Sequence, residues 1–368
     1  MKTFFLLINK LDKYLLGMSV LLALVGLLMI YSTTLSEEAN SGLLFRQIIF
    51  LIVGLALFFS FSSLDYRYLK KIRWPIYLVG VVLLVGVLAL GFRVRGSVRW
   101  FDLGLLQLQP VEYMKLAMII FLGAFFQTKR HEMQRFRNIL LSAVIAGVPM
   151  VFVMMQPDLG STLVLFSIWL GMLLVSGAKK SHLAGLLVIL LIFTVLAWAF
   201  FLQDYQKNRV FSFLDPTSDP QGQNYNAIQS ITAVGSGGIT GRGFGRGVVS
   251  QLRFLPERQT DFIFASLAEE LGFFGAGFLL ALLFWWFMRI IKVARDSSEN
   301  FGFFLVFGIF CFFFVQSTIN IGMNIGLLPI TGVPLPLVSY GGSSMLVSLV
   351  ALGIVESVLV HAQPVKFD

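Results

Sequence analysis

The sequence predicts an all-α integral membrane protein with about ten transmembrane helices and both termini in the cytoplasm. Three observations carry this. First, 57% of the 368 residues are hydrophobic and only 13% are charged, whereas a soluble domain carries about 25% charged residues. Globular cores stop growing near this length, so the surplus apolar surface must face lipid. Second, the apolar residues gather in runs of about the 20 residues that a helix needs to cross a bilayer. Third, the basic residues cluster between those runs, as loop charges do in membrane proteins.

The runs fall at about 14–33, 47–63, 75–91, 111–126, 139–155, 161–177, 183–202, 262–288, 301–322 and 339–360. The first, preceded by Lys2, Lys10 and Lys13, imitates a signal peptide. It exceeds a typical secretory apolar core and further spans follow at once, so an uncleaved first span is expected. With the N-terminus inside, seventeen lysines and arginines fall in short cytoplasmic loops and ten outside. That asymmetry sets the orientation. The external cations concentrate in 92–110 and 203–261. The second segment is expected to be one large extracytoplasmic loop between the seventh and eighth spans, with short re-entrant or amphipathic elements. No internal repeat divides the chain, so 1–368 reads as a single polytopic domain and the repeated halves of many transporters find no support.

The net charge of +9 suggests nucleic acid only until the charges are located: no basic stretch is long enough to fold outside the membrane. The external cations have two readings, an anionic substrate on that face or a long loop that translocates whatever its charge. The lone Cys311 lies in an apolar run and reads as packing. His131, His182 and His361 all fall on the cytoplasmic side, so chemistry outside must use carboxylates as bases and has no histidine-ligated metal.

Ionisable residues in or at the edge of spans are expensive and point to function. Glu112 and Lys115 share a helix face at i and i+3, either as a self-satisfied pair or as site residues. Asp158, in Gln156-Pro157-Asp158-Leu159-Gly160, is either an N-cap or a functional acid. Asp261 opens the eighth span in Thr260-Asp261-Phe262-Ile263-Phe264, where the helix dipole also favours an acid. Glu269 and Glu270 lie eight and nine residues further along, too far for direct cooperation, and read as interhelical contacts or cavity lining. The glycines at 235, 237, 238, 241, 243, 245 and 247 lack the Gly-Lys-Ser/Thr of a phosphate loop and read as irregular backbone packed near the membrane surface. Pro329 to Ser344 reads as a re-entrant or tightly turned external segment.

Taken together these stretches resemble the SEDS family (shape, elongation, division and sporulation), and within it the RodA type. The matches are Arg95-Gly96-Ser97-Val98-Arg99-Trp100 with Leu103-Gly104; Gln109-Pro110-Val111-Glu112 with Lys115; Gln156 to Gly160; Gly235-Ser236-Gly237-Gly238; Leu255-Pro256-Glu257 with Thr260 to Phe264 and Ala268-Glu269-Glu270-Leu271-Gly272; and Pro334-Leu335-Pro336 through Ser344. They run in order over residues 95–344. Val111 departs from the pattern, which usually has Ser there, so any role of that hydroxyl is void.

The resemblance implies a peptidoglycan glycosyltransferase of the bacterial cytoplasmic membrane, polymerising lipid II into glycan strands on the outer face during cell elongation. It implies a class B penicillin-binding protein as partner, alongside lipid II and membrane lipids. Asp261 matches the family's catalytic aspartate; Trp100, Glu112, Lys115 and Asp158 match other functional positions. The chemistry needs a base for the acceptor hydroxyl and cations for the departing diphosphate. Asp261 is expected to be that base, with inversion at the donor sugar. Arg95, Arg99, Lys115, Arg209, Arg253 and Arg258 are candidate diphosphate contacts. Trp100 is expected to stack on a sugar or anchor at the interface. A divalent cation, Mg2+ or Mn2+, shared by Asp261 and the diphosphate stays open. The competing readings are a lipid II flippase, whose polar path should reach the cytoplasmic side, and a non-catalytic scaffold, which has no need of Asp261.

Overall fold

The computed structural model describes residues 10–35, 41–94, 97–102, 104, 107–196, 199–200, 207, 213, 224–252 and 254–362. Arg95, Arg209 and Arg253 therefore lie outside the described residues, as does most of 203–223. The chain runs through α1 (Lys13–Thr34), α2 (Ser41–Ser63), the short α3 (Arg67–Lys71), α4 (Arg73–Leu90), strands β1 (Phe92–Val94), β2 (Ser97–Asp102) and β3 (Gln107–Leu108), and α5 (Pro110–Lys129). After these come α6 (Phe136–Met155), α7 (Leu159–Leu174), α8 (Lys180–Leu196), α9 (Tyr225–Ser236), the short α10 (Val248–Gln251), α11 (Ile263–Arg295), α12 (Asn300–Asn324) and α13 (Gly342–Ala362).

Among the described residues, eight helices are long and apolar enough to cross a membrane. Two shorter apolar helices, Leu159–Leu174 and Lys180–Ile189, coincide with the 161–177 run and the first part of the 183–202 run. The architecture departs from all-α in one place. Residues 92–108 form a three-stranded antiparallel sheet in the order β1-β2-β3, with Phe92 opposite Trp100 and Phe101 opposite Leu108. Ser97-Val98-Arg99-Trp100 alternates polar and bulky side chains at the strand period.

The helices are not equally central. Fifteen of the twenty residues of α5 are buried, and α12 and α13 are similarly enclosed. By contrast α2 and α4 expose Phe45, Ile52, Leu78 and Val82, an apolar surface suited to lipid. One end of the bundle is tied by ions. Asp12 caps α1 through the N–H groups of Tyr14 and Leu15 and pairs with Arg289 of α11 at 2.5 Å, while Glu356 of α13 accepts the Asp12 N–H at 3.0 Å. The opposite end carries the irregular segments and Asp261.

Candidate functional site

The site is built where α11 begins. Glu257, held at a φ of +57° that side chains rarely adopt, turns its carbonyl toward the N–H groups of Thr260, Asp261 and Phe262 at 3.1, 3.1 and 3.2 Å. The turn is a local over-determined structure of the kind that collects at functional positions. Asp261 thus has its N–H committed. Its carbonyl accepts from Asn320 Nδ2 and Asn324 Nδ2 of α12, each at 3.0 Å. The side chain itself is half-buried.

Opposite it lies the segment between α12 and α13, which is irregular yet buried at Val333, Leu335, Leu337 and Val338. Irregular backbone within a membrane protein must be covered by protein or water, and here the turn before α11 covers it. Ser339 Oγ donates to Thr260 O at 2.6 Å, Tyr340 N–H donates to Gln259 O at 2.8 Å, and Leu335 N–H donates to Ser339 Oγ at 2.8 Å. Gly332 sits at φ +73°, and a Cβ there would stand 3.4 Å from Asp261 Oδ2. The carboxylate therefore faces a position with no side chain.

A second polar group sits deeper. Lys115 Nζ donates to Glu112 Oε1 at 2.7 Å and to Gln316 Oε1 at 2.9 Å, and lies 5.0 Å from the Phe312 ring centroid. Gln316 Nε2 passes the connection on to Pro334 O at 2.9 Å. The pair is buried and mutually satisfied, apart from Glu112 Oε2, which has no hydrogen-bond partner.

The other sequence candidates are spread around this end. Asp158 caps α7, accepting from Ser161 N–H at 3.0 Å and Ser161 Oγ at 2.9 Å. Arg99 of β2 donates to the carbonyls of Gln156, at 2.9 Å, and Pro157, with Asp158 Oδ2 at 3.7 Å. Arg99 thereby clamps the α6–α7 junction to the sheet. Trp100 is half-buried on the same strand. Arg258 is buried, its guanidinium donating to Ser250 O.

Glu269 and Glu270 have a more particular role than interhelical contact. At Gly272, φ +65°, α11 breaks its helical path. The freed carbonyls of Glu269 and Glu270 accept the N–H groups of Arg242 and Gly243, each at 3.0 Å, and Phe273 and Phe274 donate to Gly238 and Ile239. A Cβ on Gly241 would lie 2.1 Å from Glu270 O, so only glycine admits this approach. The two carboxylates finish the anchoring. Glu269 accepts from Val249 and Ser250 N–H at 2.8 and 3.0 Å, and Glu270 accepts from Ser32 Oγ at 2.5 Å and Gly245 N–H at 3.0 Å. The glycine-rich stretch is a plug fitted into a broken helix.

The sequence reading missed Asn320, Asn324 and Gln316, and also Arg46. Arg46 is exposed on α2 beside Tyr340. Burial pushes the Tyr340 phenol above its usual value, with Arg46 opposing. The next residue, Gln47, donates to Ser339 O at 3.3 Å and so joins α2 to the same turn. Among the described residues, no three His, Cys, Asp or Glu side chains gather as a metal-ligand set.

Residues 12–364 match the family FTSW_RODA_SPOVE, described as a cell cycle protein. The chain is 38% identical over 353 residues to the peptidoglycan glycosyltransferase MrdB of Escherichia coli K12, covering 95% of both chains. It is 36% identical to the stage V sporulation protein E of Bacillus subtilis, covering 94% of this chain and 96% of that one. Its structure superposes on a chain of a solved peptidoglycan synthase complex, in which polymerisation and crosslinking are coordinated, with a TM-score of 0.81 and 30% identity over 95% of this chain and 97% of that one. On the rod shape determining protein RodA of Thermus thermophilus the TM-score is 0.70, with 28% identity over 95% and 96% of the two chains.

Proposed function

This chain belongs to the FTSW_RODA_SPOVE family and is a multi-pass peptidoglycan glycosyltransferase of the bacterial inner membrane, and from that premise we propose that Asp261 is its general base. The substrate is lipid II, and the reaction takes place at the outer face. An acceptor sugar hydroxyl attacks the anomeric carbon of the lipid-linked donor. The new C–O bond forms as the bond to the diphosphate breaks, the diphosphate leaves with the electron pair, and the hydroxyl proton passes to the Asp261 carboxylate. Attack opposite the leaving group inverts the donor configuration.

One observation carries this reading: Asp261 is half-buried at the end of the bundle, its backbone held on both sides and its carboxylate turned to the bare backbone of Gly332. A positioned base is worth about 10² to 10⁴-fold in rate. The topology that goes with it has both termini inside, ten crossings, and 203–261 outside, so that Asp261 and the 331–341 segment meet the outer leaflet.

The diphosphate needs cations that are not already committed to protein carbonyls or carboxylates. Lys115, Arg99 and Arg258 each hold such groups, so their roles in this reading are to shape the site. Arg46 is assigned to the phosphates, for which the guanidinium fork is suited; Arg95, Arg209 and Arg253 lie outside the described residues and remain candidates on the sequence alone. A divalent ion, if bound, would be shared between Asp261 and the diphosphate oxygens, an arrangement natural to Mg2+. A class B penicillin-binding protein supplies the crosslinking activity, as befits the likeness to a chain of a synthase complex.

The test is polymerisation of lipid II by the purified protein with its partner. Asp261→Ala and Asp261→Asn are expected to lose at least about 10²-fold in rate. A parental rate in either variant removes Asp261 from the chemistry.

A further inference from the structure

Three amides project from one face of α12. Gln316, Asn320 and Asn324 lie at i, i+4 and i+8, the spacing that stacks side chains along a helix. All three are fully buried. A buried amide costs free energy unless its donors and acceptors are bonded, so what they bond to indicates why an apolar span carries them.

Asn324 stands in for a missing cap. The residue at the N-cap position of α11 is Phe262, which has no side-chain acceptor to offer. The first-turn N–H groups of a helix need such an acceptor. Asn324 Oδ1 provides it from a different helix, accepting the Ala265 N–H at 3.1 Å. Its Nδ2 donates to Asp261 O at 3.0 Å and to Asn320 O at 2.7 Å. Ser230 Oγ of α9 donates to the Asn324 carbonyl at 3.0 Å. One amide thus spans the Asp261 carbonyl and the first turn of the helix that follows it.

Asn320 supplies the other half. Its Nδ2 donates to Asp261 O at 3.0 Å and to Val333 O at 2.8 Å. It therefore links the Asp261 peptide to the residue next to Gly332, the position that Asp261 Oδ2 faces. With both amides in place the Asp261 carbonyl has two donors, and its peptide plane cannot turn without breaking both.

We infer that Asn324 and Asn320 are positioning residues that fix the Asp261 carboxylate against the Gly332 backbone. The inference rests on the reading of Asp261 as the base. Neither amide touches substrate; each acts through the Asp261 peptide. A displacement of about 1 Å in a reacting group can cost about 10²-fold in rate, so losing these bonds lowers kcat while the lipid still binds.

The test uses the full chain with its partner and lipid II as substrate. Asn320→Ala removes one donor from Asp261 O and leaves the Asn324 cap untouched. Asn324→Leu removes the other donor together with the acceptor for the Ala265 N–H. The expected result for each is a kcat about 10²-fold lower with the KM for lipid II held at the parental value, since the lost bonds touch no substrate. Should Asn324→Leu fail to fold, Asn320→Ala alone carries the test.

If both variants keep the parental kcat while Asp261→Ala is inactive, the positioning role is overturned and the base survives. The positioning role is equally overturned if activity falls only with the folded fraction, or if KM for lipid II rises as kcat falls. If Asp261→Ala polymerises at the parental rate, the base reading falls first and the positioning role goes with it.

Discussion

Lys115 Nζ donates to Glu112 Oε1 at 2.7 Å in the interior of the bundle, where neither side chain meets solvent. Such a pair is costly to break from one side, because the remaining charge is left buried. Lys115→Met is therefore expected to cost about 3–5 kcal/mol. The double variant Glu112→Gln with Lys115→Met removes both charges and should recover much of that loss. Thermal unfolding in detergent reads both. Equal destabilisation by the single and double variants would show that the pair does not act as a unit.

The Glu112–Lys115 pair was legible because i,i+3 spacing is a property of the local sequence, as are the hydropathy runs that mark the spans. The α12 amides left only a weak trace: three amides at four-residue intervals in an apolar run, a known signature of interhelical bonding. Their partners, the carbonyls of Asp261, Val333 and Pro334, belong to segments whose path no local pattern discloses. Glu269 and Glu270 read as interhelical contacts or cavity lining, and their bonds to Ser32 of α1 and to Val249 and Ser250 of α10 bear out the first; their anchoring of the glycine-rich stretch was not legible. The break at Gly272 that turns their carbonyls outward needs the glycine plug to be in place, and that is a tertiary fact. The sheet at 92–108 was hidden by brevity, since its strands have three, six and two residues.

The Asp158 carboxylate receives Ser161 N–H at 3.0 Å as the N-cap of α7. An Asp-to-Ala change at a cap costs about 1 kcal/mol, whereas Asn caps about as well as Asp. Asp158→Ala should lower Tm and Asp158→Asn should hold it. Activity separates the two open readings of this residue. A polymerisation rate preserved in Asp158→Asn assigns it to capping. A rate lost at parental Tm assigns a role to the charge, with Arg99 Nη1 at 3.7 Å as its counterpart.

The plug predicts an asymmetry between glycines. Gly241→Ala must place a Cβ 2.1 Å from Glu270 O at φ +80°, whereas Gly235 has nothing within 4 Å of its Cβ position. Gly241→Ala is expected to undock residues 238–247 and open them to protease. Gly235→Ala should leave the cleavage pattern parental. Limited proteolysis of the two variants in detergent is the comparison, and equal protection would mean that the plug is not held by close backbone approach.

Asp12 offers a last contrast, because it stabilises the end of the bundle away from Asp261. It caps α1 and pairs with Arg289. Arg289 lies 17 residues beyond the break at Gly272, about 25 Å of helix rise. Asp12→Ala removes both the cap and the ion pair, so Tm should fall by more than for Asp12→Asn, which retains an acceptor for the Tyr14 and Leu15 N–H groups. The rate of lipid II polymerisation per folded protein is expected to stay parental in both variants, since Asn320, Asn324, Ser339 and Tyr340, which hold the Asp261 turn, lie at the other end. A kcat loss in Asp12→Asn at unchanged Tm would show that α11 transmits a displacement through its break. The amides of α12 would then no longer suffice to hold the Asp261 peptide.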